Sequence, residues 1–336
     1  MEVRKSITHD LDNTNPQSGI NNENKQNIAL ELLFKNKVLL ALLLICCILS
    51  VTSGQFLSLN NFTNILLQSA IMGVVAIGMT FVIITSGIDL GVGAVLGLTS
   101  VIAAGMVSGG VPIFVVLIAT IFIGAVCGLI NGFFITRFNM APFIVTLAMM
   151  AAARSVAMVY TDAKTISIYD NAFFKYLRSG EIIGIPIMIL IPVTIFLISH
   201  YILRYTIFGR HVYAIGNNKK SAELSGINVK RIELSVYIIA GFLSGIAGIL
   251  MTARLGSGTP LAGSNLELMA IAAVVIGGSS LMGGRGTVYG TMVGVLLINV
   301  INTGMNLMNI SSHYQGLMMG LVILLAALID SYGNKK

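Results

Sequence analysis

Charge is scarce in this sequence. Asp, Glu, Lys and Arg make up 10% of the 336 residues, whereas hydrophobic residues make up 56%. Soluble globular chains carry about 25% charged residues, so this composition excludes a water-soluble globule. The mean hydropathy of +0.90 predicts an integral membrane protein.

Cysteine is nearly absent, and so are the usual patterns of metal ligands. Cys46, Cys47 and Cys127 all lie in apolar runs, with no CxxC pair and no neighbouring histidine. This arrangement argues against a disulfide framework and against a zinc site. We therefore predict that the chain itself binds no metal and no cofactor.

Motifs of nucleotide binding and catalysis are also missing. The nearest approach to a phosphate loop is GGSSLMGGRG at 277–286, which lacks the lysine of GxxxxGK[ST] and follows no predicted strand. No HExxH, paired-carboxylate or Ser-His-Asp pattern is present either. The chain is not predicted to be an enzyme, and any ATP that drives it must be bound by another chain.

The net charge of +7 does not indicate a nucleic-acid partner. The basic residues stand at the ends of apolar runs and do not form a block with interleaved aromatic residues. Lipid-facing topology accounts for them, so the predicted surroundings are the lipid membrane.

Ten apolar runs are predicted to be membrane spans. About 20 residues at about 1.5 Å each are needed to cross a hydrocarbon core of about 30 Å. The class is therefore an all-α polytopic membrane protein. The runs 90–106 and 267–281 are short and rich in glycine, which is also typical of broken or re-entrant helices. The predicted spans are 38–57, 65–85, 90–106, 112–136, 141–160, 186–203, 236–253, 267–281, 287–303 and 313–330.

Polar segments divide the chain into parts. Residues 1–37 contain an Asn-rich stretch that predicts a disordered cytoplasmic tail. Residues 38–203 form the first membrane half with about six spans, 204–235 form a polar loop, 236–330 form the second membrane portion with about four spans, and 331–336 form a second tail. Divided into two sets of five, the ten spans would begin on opposite sides of the membrane in the two sets, which is typical of two inverted five-helix halves. GAVCGLING at 124–132 and GTMVGVLLIN at 290–299 share a GxxxG followed by Asn.

Lysine and arginine set the predicted orientation. The 204–235 loop holds six basic and two acidic residues, so the positive-inside rule places it in the cytoplasm. Ten spans then place both termini in the cytoplasm. Four basic residues fall outside, Lys164, Lys175, Arg178 and Arg254, and fifteen fall inside.

The loop also contains a helix signal. In NNKKSAELSG, Asn217 or Asn218 is a candidate N-cap and Gly226 is a candidate C-terminal stop, which predicts a short helix over 219–225. The helix is either part of a solvated basic loop or a docking knob for a cytoplasmic partner.

A few polar residues lie within or between the apolar runs. Asp89 is either a gate residue or a cap for the free N–H groups of the next helix. Asn299, Asn302 and Asn306 share one helix face, and they would either line a passage for an uncharged polyol or bond neighbouring helices. Asn131 is a candidate of the same kind.

Two further patterns have structural and functional interpretations. Arg154 and Glu267 are expected on the same side of the membrane, and we predict a structural ion pair between them. GxxxG pairs indicate either helices that slide during transport or simple close packing; they are Gly87/Gly91, Gly93/Gly97, Gly124/Gly128, Gly241/Gly245 and Gly290/Gly294.

Several long motifs, in order, resemble the permease subunits of ribose-type ABC sugar importers. They are GMTFVIITSGIDLGVGAVLGL at 78–98, NGFFITRFNMAPFIVTLAMM at 131–150, FGRHVYAIGNNKKSAELSGINV at 208–229, PLAGSNLELMAIAAVVIGGSSLMGGRGTVYGT at 260–291 and INTGMNLMNISSHYQGLMMGLVILLAALID at 301–330. The resemblance covers nearly everything after the first span.

The resemblance implies a passive pathway subunit in the bacterial cytoplasmic (inner) membrane. Its partners would be ABC ATPase subunits that hold ATP and Mg, a second permease copy or homologue, and an extracytoplasmic sugar-binding protein. ATP hydrolysis would rock the permeases between two openings. The residues implied in ATPase coupling are Gly209, Arg210, Ala214, Gly216, Asn217, Ala222, Ser225, Gly226 and Ile227.

Other functions remain open at this point. A secondary sugar transporter driven by an ion gradient would share the topology, although the shortage of intramembrane acids disfavours it. A membrane scaffold or channel component is a second alternative. Within the family that the chain resembles, the ligand could be ribose, galactose, xylose, rhamnose or a furanose-derived signal molecule.

Overall fold

A computed structural model describes residues 37–311 together with residues 314, 316, 317, 320, 321 and 324. This part of the chain is a bundle of helices, as composition predicts. Six helices are long and apolar enough to cross a membrane, namely α2 (Leu59–Ile84), α4 (Ile113–Phe138), α5 (Pro142–Thr161), α7 (Ile187–Tyr205), α10 (Val229–Leu255) and α12 (Val288–Leu307).

Three shorter apolar helices complete the bundle: α1 (Lys37–Thr52), α3 (Val92–Ser108) and α11 (Leu266–Ile276). Nine of the ten predicted spans therefore coincide with a helix. The tenth, 313–330, and the two predicted tails, 1–37 and 331–336, lie almost entirely outside the described residues.

The core of the bundle is formed by α2, α10 and α12. Of the most apolar stretch of α2, 89% is buried, compared with 28% for α4 and 22% each for α5 and α7. The outer helices leave large side chains exposed, such as Phe114, Phe122 and Val159. Apolar exposure of this kind suits contact with lipid tails, so the buried helices form the interior and α4, α5 and α7 its lipid-facing wall.

Glycines bring α4 and α10 into close contact. A Cβ atom added at Gly124 would strike the Gly241 carbonyl, and one added at Gly128 would strike the Tyr237 carbonyl. Small residues at this spacing allow two backbones to pack directly against each other. Gly290 and Gly294 make the same kind of contact with the carbonyls of Gly277 and Ala273 at the crossing of α12 and α11.

Each of the two short spans is a short helix preceded by a non-helical segment, an arrangement that we call a broken helix. Residues 85–91 leave α2 without helical structure before α3 begins at Val92, and 256–265 precede α11 in the same way. Gly87 and Gly91 thus lie in this connection, and their interpretation as a helix-packing pair was wrong. The predicted 267–281 span stops at Ile276, where Gly277 is the C-cap and Gly278 takes a positive φ angle of 93° that ends the helix. Gly283 and Gly284, with φ angles of 87° and 73°, keep the following loop non-helical.

Short strands and one extra helix occupy the connection between α5 and α7. Strand β1 (Ile166–Ser167) pairs antiparallel with β4 (Ser257–Gly258), and β2 (Glu181–Ile182) pairs with β3 (Ile185–Pro186). Helix α6 (Ala172–Ser179) stands between β1 and β2. The β1–β4 pairing attaches the α5–α7 connection to the segment before α11.

The central polar segment is more helical than the sequence analysis predicted. It contains α8 (Ile207–Asn217) as well as the expected short helix, which is α9 (Lys219–Leu224). Helix α8 was missed because its two glycines and its aromatic residues obscure the helical pattern. The N-cap Thr206 was a visible signal, since its hydroxyl accepts from the Gly209 N–H at 3.2 Å.

Candidate functional site

The α8–α9 pair forms a helical hairpin at one end of the bundle. Asn218 ends α8 and caps α9, where its side-chain oxygen accepts from the Ser221 N–H at 2.9 Å. Gly226 follows α9 with a φ of +83°. Of the two candidate caps, Asn218 is the one used, and α9 occupies the predicted position to within one residue.

The nine residues implied in ATPase coupling separate into two groups. Gly209, Gly216 and Ala222 are buried, and Ala214 and Ile227 are half-buried. Ala222 belongs to a small apolar cluster with Ile215 and Val229, against which Ala214 and Ile227 pack. The residues left exposed, and thus open to a partner, are Arg210, Asn217, Ser225 and Gly226.

Helix α8 is fastened to the membrane helices at Gly216. A Cβ atom there would strike the Ile84 carbonyl at the end of α2 and would lie 2.4 Å from where the Gly284 nitrogen stands. The Gly284 N–H in turn donates to the Ile84 carbonyl at 2.9 Å. Only glycine fits where three backbones meet this closely.

Tyr213 ties α8 to the same loop. Its hydroxyl donates to the Gly286 carbonyl, just before α12, at 2.7 Å. Burial raises the pKa of the Tyr213 hydroxyl above its ordinary value, against an opposing effect of Arg204, so the donor stays protonated. Helix α8 thus contacts both the end of α2 and the 277–287 loop.

An ion pair joins α9 to the first turns of α10. Lys219 Nζ lies 2.8 Å from a Glu233 carboxylate oxygen, and the two side chains are 60% and 9% exposed. The Glu233 carboxylate is buried, and Lys219 provides its charge partner. It holds the short helix against the bundle.

Leu224, which the sequence analysis did not single out, is the most conspicuous residue of the hairpin. It is the last residue of α9 and is 81% exposed. An apolar side chain presented to water at the tip of a short, capped helix suits a protein partner. The sequence could not predict that Leu224 is exposed, because a six-residue helix gives no pattern that tells which of its faces is buried.

Asp89 lies in the non-helical segment between α2 and α3 and is buried. Its carboxylate accepts from the Gly91 N–H at 2.8 Å. Gly91 is the N-cap residue of α3, so Asp89 is hydrogen-bonded to the backbone where this helix begins. Burial raises the pKa of Asp89 to about 6, although the Gly91 N–H and the amide of the buried Asn131 oppose the rise.

The three asparagines of α12 do not share one environment. Asn299 donates to the Val295 carbonyl at 2.9 Å and to Met72 Sδ of α2 at 3.3 Å. Asn302 is buried, and its Oδ1 has no hydrogen-bond partner among the described residues. Asn306 is exposed. The predicted polar stripe thus runs from the core towards the surface.

Arg154 and Glu267 lie at neighbouring glycines of α3 without a direct ion pair. Within residues 37–311 the ion pairs shorter than 4.0 Å are Lys164–Asp162 and Lys219–Glu233. Arg154 Nη1 instead donates to the carbonyls of Pro260 and Ala262, at 2.5 and 2.9 Å. The non-helical chain before α11 offers free carbonyls, and these carbonyls are what the guanidinium contacts.

A family model described as "Branched-chain amino acid transport system / permease component" matches residues 61–327. This range spans the bundle from α2 onward and includes the α8–α9 hairpin. The chain belongs to this permease family. Its members are membrane-spanning transport components, which agrees with the bundle of apolar helices and with the resemblance of its motifs.

Three relatives are similar to this permease over most of its length. The ribose import permease protein RbsC of Haemophilus influenzae is 45% identical and that of Escherichia coli is 43% identical, each over 90% of this chain and 95% of the relative. RbsC of Bacillus subtilis is 48% identical over 87% of this chain and 91% of the relative. No solved structure matches the permease.

Proposed function

We propose that this chain is the pathway subunit of an ATP-driven ABC importer for ribose or a related simple sugar. The carrying observation is its 43–48% identity to three ribose import permeases, which extends over 87–90% of the chain. The match is continuous through the hairpin and the broken helices, so it supports a common mechanism as well as a common fold.

The ten-span topology is part of this proposal. Nine apolar helices stand in the described part of the chain, and the apolar run at 313–330 supplies the tenth. With the α8–α9 hairpin in the cytoplasm, both termini lie there too. The protein then spans the bacterial cytoplasmic (inner) membrane.

Two inverted halves are supported by the order of the helices. A long buried helix, a non-helical segment and a short helix occur as α2, 85–91 and α3, and again as α10, 256–265 and α11. The helices that follow, α4 and α12, carry the two similar GxxxG-plus-Asn motifs. We propose that each short helix moves with its own half during transport.

ATP binding would act through the hairpin. The ABC ATPase subunits, which hold ATP and Mg, would contact Leu224 and the exposed residues of α8–α9. Gly216 and Tyr213 connect that hairpin to the end of α2 and to the loop before α12. ATP-driven closure of the ATPases would therefore rock the permease against a second copy, while an extracytoplasmic sugar-binding protein supplies the sugar from the other side.

The function is tested by reconstitution. The permease, its ATPase and its binding protein are placed in proteoliposomes, and ATP-driven accumulation of labelled ribose is measured. Leu224→Asp should abolish ATPase binding and uptake, because it places a charge at an apolar contact. Leu224→Met is the matched control, and it should keep both activities.

Other outcomes would contradict the proposal in different ways. Uptake that continues without the ATPase and collapses with an uncoupler would indicate an ion-gradient transporter. No concentrative uptake of any ligand would indicate a scaffold or channel component. ATP-driven uptake of galactose, xylose, rhamnose or a branched-chain amino acid, with ribose excluded, would leave the importer intact and change its cargo.

A further inference from the structure

A cavity of about 230 Å³ lies at the hairpin end of the bundle. It is formed where three connections meet: the turn after α2, the α4–α5 connection, and the junction of α9 with α10. The polar side chains that line it are Thr85, Ser86, Asn139, Lys219, Glu233 and Tyr237. The coupling mechanism proposed above does not use this cavity.

The Tyr237 hydroxyl is the feature that points to a ligand. Tyr237 is 2% exposed, and its hydroxyl has no hydrogen-bond partner in the described part of the chain. Tyr237 also lines the cavity, and buried polar groups are almost always partnered, so its hydroxyl calls for an explanation. A ligand hydroxyl in the cavity would supply the missing hydrogen bond.

Charge at the cavity excludes an ionic ligand. Glu233 and Lys219 are the charged residues that line it, and they neutralise each other at 2.8 Å. Neither a free anion nor a free cation would gain a net attraction there. The remaining groups are hydroxyls and the Asn139 amide, which suit a neutral molecule with several hydroxyls.

Size restricts the ligand further. Ordinary ligand pockets have volumes of about 300–1,000 Å³, and cavities of about 150 Å³ hold a benzene ring. A volume of about 230 Å³ therefore suits a molecule of about ten non-hydrogen atoms, the size of a pentose. Ile135, Met140 and Pro142 line the rest of the cavity and offer apolar contact for the C–H groups of such a ring.

We propose that this cavity binds a small neutral polyol of pentose size. Because the hairpin end is the proposed cytoplasmic end, the ligand would enter from the cytoplasm. The choice of ribose as the probe rests on the proposed function, whereas the polyol chemistry rests on the cavity alone. A bound polyol would bridge α9, α10 and the two connections, so imported sugar would restrain the hairpin that the ATPase moves.

Binding is measured on the full-length permease in lipid nanodiscs, without the ATPase. Ribose is titrated while the thermal unfolding midpoint is followed, and contact with the protein is detected by saturation-transfer NMR. Ribose should raise the midpoint, and ribose 5-phosphate should not. Tyr237→Phe should weaken ribose binding about three- to tenfold, which is the loss of one neutral hydrogen bond.

Two variants keep the test independent of folding. Tyr237→Phe removes a hydroxyl that has no protein partner, so the ligand-free variant should unfold at the wild-type temperature or above it. Asn139→Gly removes a second cavity group and suits the φ of +53° at that position. Tyr176→Phe, at a tyrosine that is 60% exposed outside the cavity, is the matched control and should leave binding unchanged.

The outcomes separate this proposal from the proposed function. ATP-driven ribose uptake together with ribose binding that Tyr237→Phe leaves intact would overturn the cavity assignment alone. No ribose-induced shift, with ribitol and other neutral pentose-sized polyols equally without effect, would overturn it as well and indicate a cavity that holds only water. Binding of another neutral polyol that depends on Tyr237, in a protein that does not import ribose, would support the cavity and refute the cargo.

Discussion

At the scale of single residues, the buried charges of this permease depend on backbone partners more than on each other. Asp89 accepts an N–H of the turn that opens α3, and Arg154 donates to two carbonyls of the segment before α11. Both broken helices leave main-chain groups without helical partners, and a charged side chain satisfies them. The hydrogen bonds of these two side chains thus satisfy main-chain groups where the helices are interrupted.

Asp89→Asn should stabilise the permease in a pH-dependent way. The folded pKa of about 6 exceeds the ordinary value of 3.8, so folding disfavours the ionised form. This cost is absent below about pH 4, grows between pH 4 and 6, and is complete above pH 6, where it amounts to at most about 3 kcal/mol. Asparagine keeps the acceptor for the Gly91 N–H without the charge.

Thermal unfolding of both proteins at pH 7.5 and at pH 4 checks this expectation. The midpoint of Asp89→Asn should exceed that of wild type at pH 7.5, and the difference should shrink at pH 4. An equal difference at both pH values would mean that the charge of Asp89 carries no cost. Ribose uptake by the variant, measured separately, reports whether the carboxylate is also a gate.

Arg154→Met should destabilise the fold by about 1–3 kcal/mol, because the carbonyls of Pro260 and Ala262 lose their donor. Glu267→Gln should cost less, since Arg154 is held by carbonyls and Glu267 makes no direct ion pair with it. Thermal unfolding of the two variants decides between these contacts. Equal losses of stability in the two variants would support the ion pair between Arg154 and Glu267 that the sequence predicted.

At the scale of elements, glycine determines which helices touch. Gly124 and Gly128 of α4 pack directly against the backbone of α10. The carbonyls of Gly241 and Tyr237 lie where a side chain at these two positions would be. Elsewhere, the Gly290/Gly294 pair does the same between α12 and α11. Of the two interpretations of GxxxG, close packing accounts for these contacts without any sliding.

Gly128→Ala should destabilise the permease by about 1–3 kcal/mol, because the added methyl group would strike the Tyr237 carbonyl and force the helices apart. Gly54→Ala is the matched control, since Gly54 has no atom within 4 Å of an added Cβ. The unfolding midpoint in detergent is compared for both variants. A Gly128→Ala protein as stable as the control would show that α4 and α10 can move apart at this contact with little loss of stability.

Elements with a strong local signal could be predicted from sequence, and elements shaped by distant contacts could not. The long apolar runs predicted the membrane helices, and Asn218 and Gly226 predicted the bounds of α9. In contrast, the end of α11 at Ile276 depends on how the 277–287 loop packs against Ile84 and Gly216, which are far away in sequence. Hydropathy continued the span to 281 because it does not report such contacts.

For the candidate site too, the sequence predicted the local features and missed those that depend on packing. Family resemblance marked nine residues of the hairpin, but it did not distinguish the buried Gly216, which fastens α8, from the exposed Arg210. It also passed over Leu224, whose 81% exposure depends on how α9 lies against α10. The sequence therefore identified the hairpin segment, but which of its residues are buried and which are exposed could be read only from the packing.

At the scale of the whole molecule, orientation relates the hairpin, the cavity and the cargo. The proposed function requires that residues on α9 and on the 277–287 loop face the cytoplasm, while the α5–α7 connection faces outward. Ten spans satisfy this requirement, since α10 and α11 both cross between the hairpin and that loop. A re-entrant α11 would return the loop to the outer side, away from Ile84 and Tyr213, to which the loop is hydrogen-bonded.

Cysteine labelling tests this orientation. Cys46, Cys47 and Cys127 are first replaced by alanine, and single cysteines are then introduced as Lys164→Cys, Ser221→Cys and Met282→Cys. Lys164 and Met282 have exposed side chains, and Ser221 is exposed on α9. An impermeant maleimide applied to intact cells should label position 164 alone, and positions 221 and 282 should react only after the membrane is opened. Labelling of 282 but not 221 in intact cells would contradict the contacts that join the loop to the hairpin end. Labelling of 221 would mean that the protein has the opposite orientation and that the hairpin cannot meet a cytoplasmic ATPase.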